Sequence, residues 1–121
     1  MRSITAYSLK SGKAKDSERV TGYNMESATL GRTGLEVSRL GVGLAELGGL
    51  SPDDVETAGQ ILGAALDGGI NFFDTAECYG NSEELIGKTV AHRRDEIVLA
   101  TKAGHLPTGY SGGPWTGKTV R

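Results

Sequence analysis

The chain has 121 residues, 37% of them apolar, and a net charge of −2, which suits one small domain with its own core. That near-neutral balance carries no electrostatic footprint of a nucleic acid or an anionic membrane surface, and no apolar run approaches the roughly 20 residues that span a bilayer. Cys78 is the single cysteine, which excludes an intrachain disulfide and points to a reducing, cytoplasmic setting.

Charge is unevenly spread. Residues 1–25 hold Arg2, Lys10, Lys13, Lys15 and Arg19 against Asp16 and Glu18, a balance of +3, while the remainder carries −5. This first stretch is rich in Ser, Thr and Lys, poor in apolar residues, and lacks the apolar core of a secretory signal. It buries too little to offset the entropy of ordering. A disordered extension over 1–25 and an ordered unit over 26–121 are expected, with Met25 marking the change; a basic targeting arm is the alternative use of the extension.

The first predicted element is a β-hairpin. Its strands are Ala28 to Leu30 and Leu35 to Ser38, joined by a turn containing Gly31 and Gly34. A short strand, Arg39 to Gly43, then feeds a glycine-rich loop, Leu44 to Leu50. Ser51-Pro52-Asp53-Asp54 reads as a helix start: a serine cap, a proline at the first helical position, and acids at the positive end of the dipole. Val55, Ala58, Ile61, Leu62, Ala65 and Leu66 follow at helical spacing as one apolar stripe, and Gly68-Gly69 ends the helix. Ile70 to Phe73 is a short buried strand stopping on Asp74. Asn81 with Glu84 forms a capping-box pattern for a second helix whose inner face is Leu85, Ile86, Thr89 and Val90. Glu96 to Lys102 is a third strand with a continuous apolar centre, as in parallel sheets covered on both faces. The order β-α-β-α-β predicts an α/β fold with right-handed crossovers.

In such folds functional groups gather at the C-terminal ends of parallel strands. Asp74 ends the second strand, Lys102 the third, and Tyr79 lies in the loop between them, so all three fall on one rim. The trio suits proton donation by the phenol. A free phenol has a pKa of about 10, and an adjacent ammonium lowers such a value by about 1–3. A carboxylate partner keeps the lysine charged. Asp74 would then hold Lys102, and Lys102 would make Tyr79 a usable general acid. Structural roles are open to the same residues: Asp74 as a turn cap, Tyr79 as a packing residue, Lys102 as an exposed strand end.

Three stretches, LGRTGLEVSRLGVG, GGINFFDTAECYGNSEELIGKTV and IVLATKAGH, resemble the N-terminal part of the aldo-keto reductase family over about residues 28–106. The resemblance implies the first three βα units of a TIM-type (β/α)8 barrel, incomplete here, with the 28–38 hairpin plugging its base. It implies NADP(H)-dependent reduction of aldehydes or ketones, small carbonyl or sugar-like substrates, catalytic roles for Asp74, Tyr79 and Lys102, and cofactor contact from Gly43, Leu44, Ala45 and Asp74. The family's fourth catalytic residue, a histidine ending the fourth strand, has no counterpart, so the 121 residues alone are expected to be inactive. His92 reads as a charge suited to the end of the second helix, His105 as a loop residue near the site's mouth, and Cys78 as an incidental thiol. A non-enzymatic member, such as a potassium-channel β subunit, and an inert truncated product are the alternatives.

Two glycine patterns mislead. Gly112 to Thr119 matches the phosphate-loop pattern G-x-x-x-x-G-K-T, but no strand delivers it, and Pro114 removes an amide that the cradle needs. Gly41-Val42-Gly43 begins a dinucleotide fingerprint, yet Glu46 stands where its third glycine belongs.

Overall fold

The computed structural model describes residues 25–105 and 113–116. Residues 1–24 of the extension expected to be disordered over 1–25, and half of the phosphate-loop pattern (Gly112 and Gly117 to Thr119), lie outside them.

The hairpin forms as two short antiparallel strands, β1 (Ser27–Thr29) and β2 (Glu36–Ser38), with Ala28 opposite Val37. Thr33 fastens its turn: the hydroxyl donates to the Leu30 carbonyl at 2.6 Å and accepts the Leu35 amide at 3.1 Å. Three parallel strands follow in chain order, β3 (Gly41–Gly43), β4 (Phe72–Asp74) and β5 (Val98–Ala100), and they pair in the order β3-β4-β5. Gly43, Asp74 and Ala100 stand level across the sheet at the C-terminal end. The connections are α1 (Val55–Asp67) and α2 (Ser82–Val90). The result is an α/β unit with an open parallel sheet.

The core lies between sheet and helices. Phe73 of β4 is fully buried with Ala58 and Leu62 of α1 and Leu85 of α2; Leu44, Leu47, Ile86, Val90 and Ile97 surround them. Burying a side chain of this size contributes about 1.5–3 kcal/mol, so this cluster outweighs any surface pair. Asn71 joins the hairpin to the foot of β4. Its side-chain oxygen accepts the Ser38 amide at 2.7 Å, its amide nitrogen donates to the Glu36 carbonyl at 3.0 Å, and its own backbone N–H donates to Ser38 Oγ at 3.0 Å. The hairpin therefore sits at the end of the sheet opposite Asp74.

Local details depart from the sequence expectations. Ser51 does not cap α1. The Ser51 amide donates to Asp54 Oδ2 at 2.9 Å and Ser51 Oγ accepts the Asp53 amide at 3.3 Å, which closes a separate turn. Asp54 (φ −76°, ψ 39°) leaves helical geometry, so α1 begins only at Val55. Asn81 does not cap α2 either: its side chain donates to the Leu50 carbonyl at 2.8 Å, and Glu84 pairs with Lys88 one turn on at 2.6 Å. Of the predicted α1 stripe, Ala58, Leu62 and Leu66 are buried, whereas Val55 and Ile61 are exposed. The buried residues are spaced by four, the narrow line that the sheet and α2 can cover together. The third strand shortens to Val98–Ala100, because Ala91–Glu96 turns into a 3-10 segment pinned by Arg93 to Asp67 and Glu96 at 2.8 and 2.7 Å. β5 is half-buried, since β4 is its one strand neighbour among the described residues.

Candidate active site

Parallel pairing carries the last residues of β4 and β5 to one rim. Lys102 follows β5 by two residues and reaches back across the sheet. Its Nζ lies 2.8 Å from Asp74 Oδ1, 2.9 Å from the Thr75 carbonyl oxygen and 4.8 Å from the centre of the Tyr79 ring. All three residues expected on this rim therefore meet at one ammonium. Asp74 and Lys102 keep about a third and just under half of their side-chain surface exposed, so the group opens to solvent. The Lys102 ammonium is held above its ordinary pKa, first by the hydrogen bond to Asp74; loss of hydration opposes this, and hydrogen bonding with Tyr79 adds to it.

The loop bearing Tyr79 is held from below and from the side. The Thr75 amide donates to the Ala100 carbonyl at 2.9 Å, and Thr75 Oγ1 lies 2.9 Å from Ser82 Oγ, both residues being fully buried. The Tyr79 amide donates to Ala76 O at 3.0 Å, and the Tyr79 carbonyl accepts the Ser82 amide at 3.0 Å. From the side comes the 3-10 turn Glu46–Gly49, whose Leu47 plugs into the core. Gly48 accepts the Asn81 amide at 3.2 Å. A Cβ on Gly48 would strike the Tyr79 carbonyl, and one on Gly80 would strike Gly48 O. Gly80 also has φ +51°, a left-handed conformation that glycine adopts without strain. Two backbones thus touch where side chains would have held Tyr79 away.

None of these supports carries a catalytic signal in the sequence. The glycines beside Tyr79 and in the 44–50 loop were the available signal, but pairing Gly48 with Gly80 requires the fold. The capping signal of Asn81 points to its own helix, whereas its side chain bonds Leu50 in the facing loop.

The expected cofactor residues line the neighbouring strand end. Gly43 is exposed, with nothing within 4 Å of where a Cβ would stand. Ala45 is exposed as well. Leu44 is 2% exposed and packs into the core, and its amide is committed to Asp74 O at 2.9 Å; its side chain does not face the rim. Gly43, level with Asp74 across the sheet, and Ala45 therefore leave open backbone at this strand end.

Neither histidine joins the trio. His92 lies in the 3-10 segment after α2, and His105 stacks edge-on against Trp115, ring centres 4.9 Å apart. Cys78 is an exposed free thiol. Glu77 Oε1 is buried, and no described donor reaches it. Among the described residues no group of His, Cys, Asp and Glu could hold a metal ion, and no helix is long and apolar enough to cross a membrane.

Comparison with known proteins points to one family. Residues 39–118 match the model of the Aldo/keto reductase family. An oxidoreductase of Bacillus subtilis, YrpG, is 48% identical over 87 residues, covering 64% of this chain and 26% of its own length. Pyridoxal 4-dehydrogenase of Microbacterium luteolum is 43% identical over 86 residues, covering 69% of this chain and 25% of its own. A crystal structure of an aldo-keto reductase from Pseudomonas aeruginosa superposes with a TM-score of 0.63 at 37% identity, over 77% of this chain and 37% of that one. The chain spans about a quarter of the length of the curated relatives it matches. With two thirds of its residues under one family model and the Asp74, Tyr79 and Lys102 cluster formed on one rim, the chain belongs to the aldo/keto reductase family.

Proposed function

We propose that this chain forms the proton-donor side of an NADP(H)-dependent carbonyl reductase acting on small aldehydes, ketones or sugar-like carbonyl compounds. The observation that carries the reading is the Lys102 ammonium, 2.8 Å from Asp74 and 4.8 Å from the centre of the Tyr79 ring. In this reading the parallel strands β3 to β5 are the first three of an eight-stranded barrel, and the hairpin covers its N-terminal end.

The roles follow from the contacts. The Tyr79 hydroxyl gives its proton to the carbonyl oxygen as negative charge gathers there. Lys102 stabilises the charge left on the phenol oxygen. Asp74 keeps Lys102 protonated, and the Thr75 carbonyl fixes the direction in which the ammonium points. Gly43, Ala45 and Asp74 would hold a nicotinamide cofactor, which when bound supplies the hydride for the carbonyl carbon. The 121 residues by themselves are expected to show no turnover. β3 and β5 each pair on one side only among the described residues, and a barrel site needs a closed sheet to surround cofactor and substrate.

The test is Tyr79→Phe in the protein that carries this chain. NADPH-dependent reduction of 4-nitrobenzaldehyde should fall by about 10²-fold or more, the scale of a lost general acid, while NADPH binding followed by fluorescence stays near wild type. Undiminished turnover in Tyr79→Phe would remove the proton-donor role. Cofactor binding without turnover in the wild type would instead favour a non-enzymatic member of the family.

A further inference from the structure

The first turn of α2 reaches toward all three residues of the rim. Ser82 opens the helix. Its backbone amide donates to the Tyr79 carbonyl at 3.0 Å, and its hydroxyl lies 2.9 Å from that of Thr75, the residue directly after Asp74. Glu83, the next residue, serves the neighbouring strand. Its Oε1 accepts the hydroxyl of Thr101 at 2.6 Å, and Thr101 stands directly before Lys102. Two consecutive helix residues therefore hold two threonines, one beside Asp74 and one beside Lys102.

The second of these bonds falls where the backbone has little other support. β5 ends at Ala100, so Lys102 lies beyond the strand. The Lys102 carbonyl accepts the Glu77 amide at 3.4 Å, longer than an ordinary N–H···O bond. The Thr101–Glu83 bond, by contrast, has the length of a charge-assisted O–H···O⁻ bond. Both side chains are exposed, and pairs of exposed side chains add little to stability. The effect of this one is on position. The Lys102 ammonium sits at the end of a flexible four-carbon stem, so a swing of its backbone is carried to the contacts with Asp74 and the Tyr79 ring. The Glu83 charge is not what holds the ammonium protonated, since Asp74 and Tyr79 are the groups that raise its pKa.

We infer that Glu83 is a positioning residue for Lys102: through Thr101 it fixes the strand end from which the ammonium reaches Asp74 and Tyr79, while Ser82 fixes the other side through Thr75. This inference rests on the reductase reading and adds Glu83 and Thr101 to the residues that serve it.

The kinetic test follows single turnovers of NADPH with saturating 4-nitrobenzaldehyde in the protein that carries this chain, so that product release does not mask the step. Glu83→Ala and Thr101→Val should each slow it about tenfold, within the hundredfold that a 1 Å misplacement costs. NADPH binding and the urea midpoint should stay near wild type. The double variant should be no slower than either single, because one bond is lost in all three. Glu83→Gln keeps an acceptor oxygen and Thr101→Ser keeps the hydroxyl, so each should recover most of the rate. Glu84→Ala removes the same charge one residue on, from a pair with Lys88, and should leave the rate unchanged. Equal slowing in Glu84→Ala, or no recovery with glutamine and serine, overturns the inference. A second measurement is independent of turnover. Competitive acetylation with acetic anhydride, read by mass spectrometry, gives the reactivity of Lys102 relative to Lys88. This ratio should rise about twofold or more in Glu83→Ala and Thr101→Val, as for a group held less of the time, and stay near wild type in Glu83→Gln and Thr101→Ser. An unchanged ratio in both disrupting variants overturns the positioning role whatever the turnover. If the wild type reduces no aldehyde, the reductase reading fails and the acetylation ratio alone decides whether Glu83 positions Lys102.

Discussion

The Thr75–Ser82 pair offers a sharp test of how the tyrosine loop is held. Both residues are fully buried, with hydroxyl oxygens 2.9 Å apart. One follows Asp74 directly and the other opens α2. Ser82→Ala removes one hydroxyl and leaves Thr75 Oγ1 without its partner in a site closed to water. The lost hydrogen bond alone is worth about 0.5–1.5 kcal/mol, and a buried hydroxyl left unpaired brings the cost to about 1–3 kcal/mol. Thr75→Val, which keeps the shape and removes the other hydroxyl, should cost a similar amount. The double variant leaves neither group unsatisfied. It should be less destabilised than the sum of the singles by about 1–2 kcal/mol, the coupling expected of residues in direct contact. Urea unfolding of the four proteins, followed by circular dichroism with the m-value held common, measures this cycle. A double variant destabilised by the full sum would show that the hydroxyls do not satisfy one another, and the account of the loop's foundation would fail.

Three further outcomes can be measured, two from contacts of the same rim and one from the composition of the N-terminal segment. Lys102 is raised above its ordinary 10.5 chiefly by Asp74, so its contribution to stability is complete below that value and is lost as pH climbs through the higher folded value; the urea midpoint should drop on the alkaline side in wild type and drop less in Lys102→Met. Gly48→Ala places a Cβ against the Tyr79 carbonyl, which forces two backbones apart; it should cost roughly 1–3 kcal/mol by overpacking and lower kcat, read by unfolding and by turnover. Deleting residues 1–24 should change unfolding free energy by no more than about 0.5 kcal/mol, the range for changes remote from packed features; a larger loss would show that the basic segment packs on the domain.

Much of this arrangement is legible along the chain. The apolar run ending on Asp74, the run before Lys102, and the glycine ends between them determine three strands in order. Parallel pairing in that order then sends Asp74, Tyr79 and Lys102 to one rim. Alternation and helical spacing are local properties, and a single sequence displays them directly. What the sequence left undecided was the choice of partner. Asn81 carries a helix-capping signal yet donates to Leu50, 31 residues away, and Asn71 spends its side chain on a hairpin 33 and 35 positions earlier. Ile61 belongs to the apolar stripe by spacing but faces outward, because coverage depends on which neighbours stand beside the helix. Gly48 and Gly80 are ordinary loop residues until two distant backbones meet. Their roles come from close approach between segments, and only the tertiary packing decides which segments approach.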